Sequence, residues 1–294
     1  MDTSRVHWFD LMESIPIAGQ AKVFAGGFGK ANFGIGDSIT LEKHLFVAIR
    51  DRIMNAKELF FKCVELIGEP FPTGMRGINP PNPIEGRGFF PVASGSFDNP
   101  SLTEPLKRSV MFVGQDWGCE ADLESIKKDK DADIQSGTGR NLHRLIKESR
   151  LPINECFFTN ALFGLRKGNN NLGQSPGWES KEFVNRCTEA LRLQIKVIRP
   201  RAVICLGRQA PKILAQIFSE CEPWVNAKSF GEIDQAGQAF VTIGGQSETV
   251  RILSILVHPA FRHIHVRRRC FRNAEGSMAE LELLNATWEA GNCR

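Results

Sequence analysis

Four short runs of consecutive apolar residues punctuate the chain: Val110–Val113, Cys156–Thr159, Ala202–Leu206 and Ile252–Val257. Strands buried on both faces read this way, because neither side of the strand meets water. Between and after these runs the apolar residues return at helical spacing, over Gly139–Ser149, Glu179–Ile198, Gln209–Ser219 and Asn273–Ala290. Such alternation predicts a parallel sheet covered by helices, that is, an α/β protein built as a three-layer α/β/α sandwich around a central four-stranded parallel sheet. Upstream, Thr40–Ile67 carries a helical period, and from Gly68 to Pro105 prolines and glycines interleave in extended, non-repetitive chain. The expected organisation is an N-terminal helical and Pro/Gly-rich extension, residues 1–105, packed on a main domain of residues 106–294.

Composition narrows the class. With 294 residues the chain can bury a large core and still carry an appendage, and 42% hydrophobic with 24% charged residues is ordinary for a soluble globular protein. No apolar stretch approaches the roughly 20 residues of a membrane span, and the first residues lack the pattern of a secretory leader, so a cytoplasmic protein with no membrane partner is expected. The eight cysteines form no CxxC pair and show no zinc-ligand spacing, which favours reduced thiols and no bound metal. Net charge is only +4, but Arg262, His263, His265, Arg267, Arg268, Arg269 and Arg272 follow one another with no acid between them. Such a run suits phosphate contacts and equally well a solvated basic face.

Polar residues at the strand ends supply candidate chemistry. Gln115-Asp116 follows the first run, Thr159-Asn160 closes the second and His258 follows the fourth. The third ends in Leu206-Gly207-Arg208-Gln209, a glycine turn opening a helix whose free N–H groups could hold a phosphate. Each has a plain structural alternative: Asp116 as a helix N-cap, Asn160 as a turn cap, and His258-Pro259 as a loop dipeptide. Singly these alternatives are at least as good. Three at once favour a site, since ligands of open α/β sheets bind beyond the carboxyl ends of strands.

These segments together resemble the uracil-DNA glycosylase superfamily. Gly114-Gln115-Asp116 looks like the GQDPY signature of its best-known branch, and Phe158-Thr159-Asn160-Ala161-Leu162 resembles the uracil-reading strand. Arg199 to Gly207 is similar to the third strand, and His258-Pro259-Ala260 matches two positions of the HPS signature. The likeness covers roughly residues 107–272 in family order. It implies a monofunctional hydrolase that removes uracil from DNA by base flipping, acting as a monomer on uracil-containing DNA and releasing free uracil. Asp116 would orient water, His258 would stabilise the leaving O2, and Asn160 would donate to O4 and accept from N3–H. Backbone amides near Gln115, with Trp117, Gly118 and Phe158, would complete the base pocket. Gly207, Arg208, Phe261, Arg262, Arg267, Arg268 and Arg269 would contact DNA, with Phe261 or Arg262 as the wedge.

Departures from the family pattern carry their own expectations. Trp117-Gly118 replaces Pro-Tyr, so thymine exclusion falls to another side chain. In the iron–sulfur branches an aromatic stacks on the base, where Ile134 stands here, leaving that role to Phe158 or Phe163. Cys187 matches one cluster cysteine of those branches, but Gly164 occupies another's place, and no iron–sulfur cluster or other cofactor is expected. Gly77-Ile78-Asn79-Pro80 looks like the motif of a mismatch-specific branch, but the segment before it cannot form a buried strand. No lysine ends a strand in these motifs, so a Schiff-base lyase step is not indicated. The alternatives are a protein of the same fold that captures uracil-DNA without turnover, and an unrelated α/β enzyme holding a small phosphorylated ligand at the Gly207 turn.

Overall fold

The computed structural model describes residues 56–77, 109–128, 137–244 and 249–292. The expected helix before Ala56, most of the Pro/Gly-rich segment, Ile134 and the end of the Gly77–Pro80 motif lie outside these residues. The fold is a three-layer α/β/α arrangement on one mostly parallel sheet. Its strands are β1 (Val110–Gly114), β2 (Cys156–Asn160), β3 (Ala202–Leu206), β4 (Phe240–Thr242) and β5 (Ile252–Leu256), in spatial order β2-β1-β3-β5-β4. Every residue of β1, β2, β3 and β5 is buried, which is why these segments read as unbroken apolar runs. Each large apolar side chain so buried contributes about 1.5–3 kcal/mol.

The expectation of four strands is corrected to five. Strand β4 pairs antiparallel with β5, Val241 facing Leu253, and closes one edge of the sheet. Three residues, none of them fully buried, leave too short a pattern to read in advance. The helix expected over Gln209–Ser219 is likewise reduced to Pro211–Leu214: the Gln216 and Ile217 N–H groups bond three residues back, to Ile213 and Leu214, and Phe218 is extended.

The longer helices are α1 (Ala56–Ile67), α2 (Glu120–Lys128), α3 (Gly137–Glu148), α4 (Lys181–Ile198) and α5 (Gly276–Asn292). Helix α4 starts where Ser180 accepts a hydrogen bond from the Phe183 N–H, a cap worth about 1 kcal/mol, and ends at Arg199 in the left-handed region before Pro200. Helix α1 lays Leu59, Phe60, Cys63 and Ile67 into the main core, and the Cys63 thiol lies 3.8 Å from the Ala190 carbonyl on α4. No helix among the described residues is long and apolar enough to cross a membrane.

Strand order positions the site. From β1 the chain adds β2 on one side and β3 on the other, so the order in which strands are added reverses between the parallel neighbours β1 and β3. A crevice opens at such a switch point, and the segments after β1, β2, β3 and β5 all leave from that edge. Parallel register aligns them: Gly114 lies opposite Asn160, and Leu206 opposite Leu256.

Candidate active site

Asp116 leaves the end of β1 in a turn closed by its own side chain, whose Oδ1 accepts from the Gly118 N–H at 3.1 Å. This is an Asx-type turn rather than the helix cap that the sequence also allowed. Helix α2 is capped separately by Asp122, which reaches back to the Cys119 N–H at 3.2 Å. The other oxygen of Asp116, Oδ2, accepts from Nε of Arg166 at 2.7 Å, with the two side chains only 7% and 5% exposed. Gln115 lies over the pair, its Nε2 at 3.4 Å from Oδ2 and 3.3 Å from the Gly173 carbonyl.

Gly118 has a backbone reason to be glycine. Its φ is +76°, and a Cβ there would stand 2.9 Å from Oδ2 of Asp122. Trp117, beside it, packs edge-on to Phe163 at 5.1 Å and Phe60 at 6.3 Å, with its indole N–H unpartnered among the described residues. Phe158 is buried and stacked on Phe112 at 5.1 Å, facing it across the β1–β2 pairing.

Asn160 is 2% exposed at the end of β2, and neither its amide oxygen nor its amide nitrogen has a hydrogen-bond partner among the described residues. A turn-capping asparagine would spend those atoms on the backbone. Leaving both unmade costs about 1–3 kcal/mol per group, so such an amide calls for a ligand or an ordered water.

His258 begins the segment after β5. Its Nδ1 accepts from the Ala260 N–H at 3.3 Å, which assigns the proton of the neutral ring to Nε2 and makes that atom the free donor. Gly207, at φ +84°, presses against it: a Cβ there would meet the His258 Cβ at 3.0 Å. Asn141 on α3 donates to the Pro259 carbonyl at 2.9 Å and ties down the next residue. Burial pushes the His258 imidazole below its ordinary value of 6.5, while the Asp116 charge pulls the other way. An unfolded chain therefore takes up the proton near pH 6.5 and the folded one resists it, so stability is complete above that value and is lost as the pH falls below it. Urea midpoints at about pH 7.5 and 5.5 should fall further in the wild type than in His258→Gln. Equal losses would refute the neutral, buried imidazole.

Three arginines expected to contact DNA are turned inward. Arg269 is 1% exposed, bonded through Nε to Asp234 at 2.9 Å and through both Nη atoms to the Ile255 carbonyl at 3.1 Å, with Glu280 at 3.4 Å. Arg262 gives its Nε to Glu280 at 2.8 Å. Arg208 donates to the carbonyls of Ala227 and Lys228. Arg269, expected as a phosphate contact, is therefore a core residue, and Arg262, one of the two wedge candidates, is tied to Glu280. Arg267 and Arg268 remain exposed.

Phe261 is 39% exposed, its ring 5.8 Å from that of His258, and Ile264 beyond it is 55% exposed. Sequence reasoning missed Ile264, Asn141, Arg166 and Glu280. Ile264, Arg166 and Glu280 sit in no motif, and each of the four matters through a partner at least 18 residues away or through exposure that only the fold creates.

The architecture and site together define an open α/β protein with an acid and a histidine delivered to one switch point. The model of the uracil DNA glycosylase superfamily matches residues 100–277, more than half of the chain, and the chain belongs to that superfamily. It is similar to the Type-4 uracil-DNA glycosylase of Archaeoglobus fulgidus, 28% identical over 112 residues that cover 38% of this chain and 50% of that protein. The chain thus spans about half the length of this relative.

The cluster positions of the iron–sulfur branches can be tested on side-chain space. Cys187 is buried in α4, its sulfur 3.4 Å from the Phe163 N–H, and burial pushes the thiol up to about 12. At Gly164 a Cβ would stand 3.1 Å from the Met75 side chain and 3.3 Å from the Arg76 carbonyl, so the place is filled and carries no sulfur. Among the described residues no group of three or more His, Cys, Asp or Glu side chains could hold a metal. These residues do not fit a four-thiolate cluster.

Proposed function

We propose that this protein is a monofunctional glycosylase that hydrolyses the N-glycosidic bond of uracil in DNA. The observation that carries the reading is the amide of Asn160, unpartnered among the described residues and buried at the end of a strand flanked by the Asp116 turn. Uracil presents an acceptor at O4 beside a donor at N3, which one amide satisfies in a single plane. Cytosine reverses both.

In the proposed reaction the base leaves as an anion and the sugar becomes oxocarbenium-like. Nε2–H of His258 meets the charge growing on O2, a contribution of about 3–4 kcal/mol in comparable oxyanion sites. The carboxylate of Asp116 orients the attacking water toward the sugar carbon and accepts its proton. Exposed Arg267 and Arg268 contact backbone phosphates.

Incubation with a uracil-containing oligonucleotide, followed by alkali, should cleave at uracil and not at cytosine, and Asn160→Ala should lose that preference. Retention of the oligonucleotide without cleavage would instead support capture without turnover. Failure to bind any nucleic acid would leave the phosphorylated-ligand reading.

Phe261 fills the wedge role in this scheme, since Arg262 is committed to Glu280. An apolar wedge offsets an unstacking cost of a few kcal/mol that single strands largely avoid. Phe261→Ala should therefore slow uracil release from duplex by about tenfold or more, and from single strands much less. Equal losses on both substrates would rule the wedge out.

A further inference from the structure

We propose that Arg166 is a positioning residue that locks the Asp116 carboxylate and couples it to the loop of residues 167–175; the inference rests on the glycosylase reading above. Arg166 follows the end of β2 and grips the Asp116 turn twice. Its backbone N–H donates to the Gly118 carbonyl at 2.9 Å, and its Nε donates to Oδ2 of Asp116 at 2.7 Å. The same guanidinium then reaches outward, Nη1 to the Leu172 carbonyl at 2.7 Å and Nη2 to the Gly173 carbonyl at 3.0 Å.

All three guanidinium nitrogens are thus engaged by the acid or the loop. Gln115 adds a second link to Gly173, and Asn171 a third, through Nδ2 to Oδ2 of Asp122 at 2.8 Å. The loop is thus tied to the turn that carries the acid through Arg166 and Gln115, and to the start of α2 through Asn171. At its crest Leu172 is 67% exposed, more than any other large apolar side chain among the described residues.

Burying a guanidinium is costly unless its partners are well placed. Here the partner is the very carboxylate assigned to the water. With Oδ2 held by Arg166 and Oδ1 by the Gly118 N–H, rotation of the carboxylate is blocked and its remaining lone pairs have fixed directions. Lysine cannot reproduce this, because an ammonium is a compact charge without the planar fork that spans an acid and two carbonyls. A strand pressing on Leu172 acts on the carbonyls that share this guanidinium, so seating of DNA and orientation of the acid become one event.

Single-turnover and steady-state kinetics on the full chain test the assignment. Arg166→Ala should lower kcat about 100-fold, the scale of a misplaced catalytic group, with KM changed by less than about threefold. Arg166→Lys should recover little of this. Added guanidinium chloride at millimolar concentration should restore part of the activity of Arg166→Ala and none of that of Asp116→Asn. In the double variant the two losses should not multiply. Should the alanine variant fail to fold, Arg166→Lys carries the same kcat and KM reading. A folded Arg166 variant with wild-type kcat, or losses that multiply, would overturn the coupling. Absence of product from the wild type would instead sink the glycosylase reading.

Discussion

Asp116→Asn is expected to lower kcat for uracil release by about 10²–10⁴-fold, the range that a positioned acid–base group supplies. The substitution is nearly isosteric. An amide oxygen placed as Oδ1 can still accept from the Gly118 N–H, so the turn has reason to survive. The position of Oδ2 changes character: an NH₂ group there would face Nε of Arg166, donor against donor, in a place where both side chains are almost fully buried. The variant thus loses the proton acceptor and its clamp together. On the proposed function, DNA affinity should change far less, because phosphate contacts rather than a single buried acid dominate nucleic-acid binding in general. Rates measured with substrate in excess, alongside binding to the same oligonucleotide, separate the two effects. A wild-type rate in this variant would remove Asp116 from the chemistry.

Glu280→Ala is expected to cost about 3–5 kcal/mol of folding stability, the scale on which breaking one side of a buried ion pair is felt. Glu280 is fully buried on α5 and serves three partners. Its Oε1 accepts from the Val257 N–H at 2.6 Å and lies 3.4 Å from Nη1 of Arg269, and its Oε2 holds Arg262. Those contacts bracket the segment that carries His258 and Phe261, one residue before and one residue after. Removing the carboxylate leaves Arg262 without this acid, strips Arg269 of one of its two, and frees both ends of the segment at once. The neighbouring Glu282 pairs with Arg272 at 3.6 Å on the surface and is the control, since exposed pairs contribute about 0–1 kcal/mol. Urea titration of Glu280→Ala and Glu282→Ala should give clearly different midpoints. Similar midpoints would mean that Glu280 is not the hub drawn here.

How much of this was legible beforehand differs residue by residue. The four parallel strands were visible because burial on both faces forces an apolar run, and three of the four runs stopped at or just before a polar residue of the candidate site. Asp116, Asn160 and His258 could be found on that ground alone, with the ordered motifs adding a family. Strand β4 could not, since three partly exposed residues carry no period. Gly118 looked like a missing tyrosine, whereas in the fold its φ of +76° and the nearby Asp122 carboxylate give it a backbone role.

The arginine run marks the boundary most clearly. Along the chain Arg262, Arg267, Arg268 and Arg269 are indistinguishable, four cations in a basic stretch. The order of residues is enough to gather charge of one sign after His258, and its apolar runs bring an acid, an amide and an imidazole to one sheet edge. Which of these charges meet water depends on the folded packing. Arg269 is drawn inward by Asp234 and Glu280, and Arg262 is held by Glu280, while Arg267 and Arg268 stay outside. Arg166 entered the site by the same route, from a position that no motif marked out. The physical reason is shared: local pattern reports how a segment meets water on average, whereas a buried cation is placed by acids and carbonyls that lie far away along the chain.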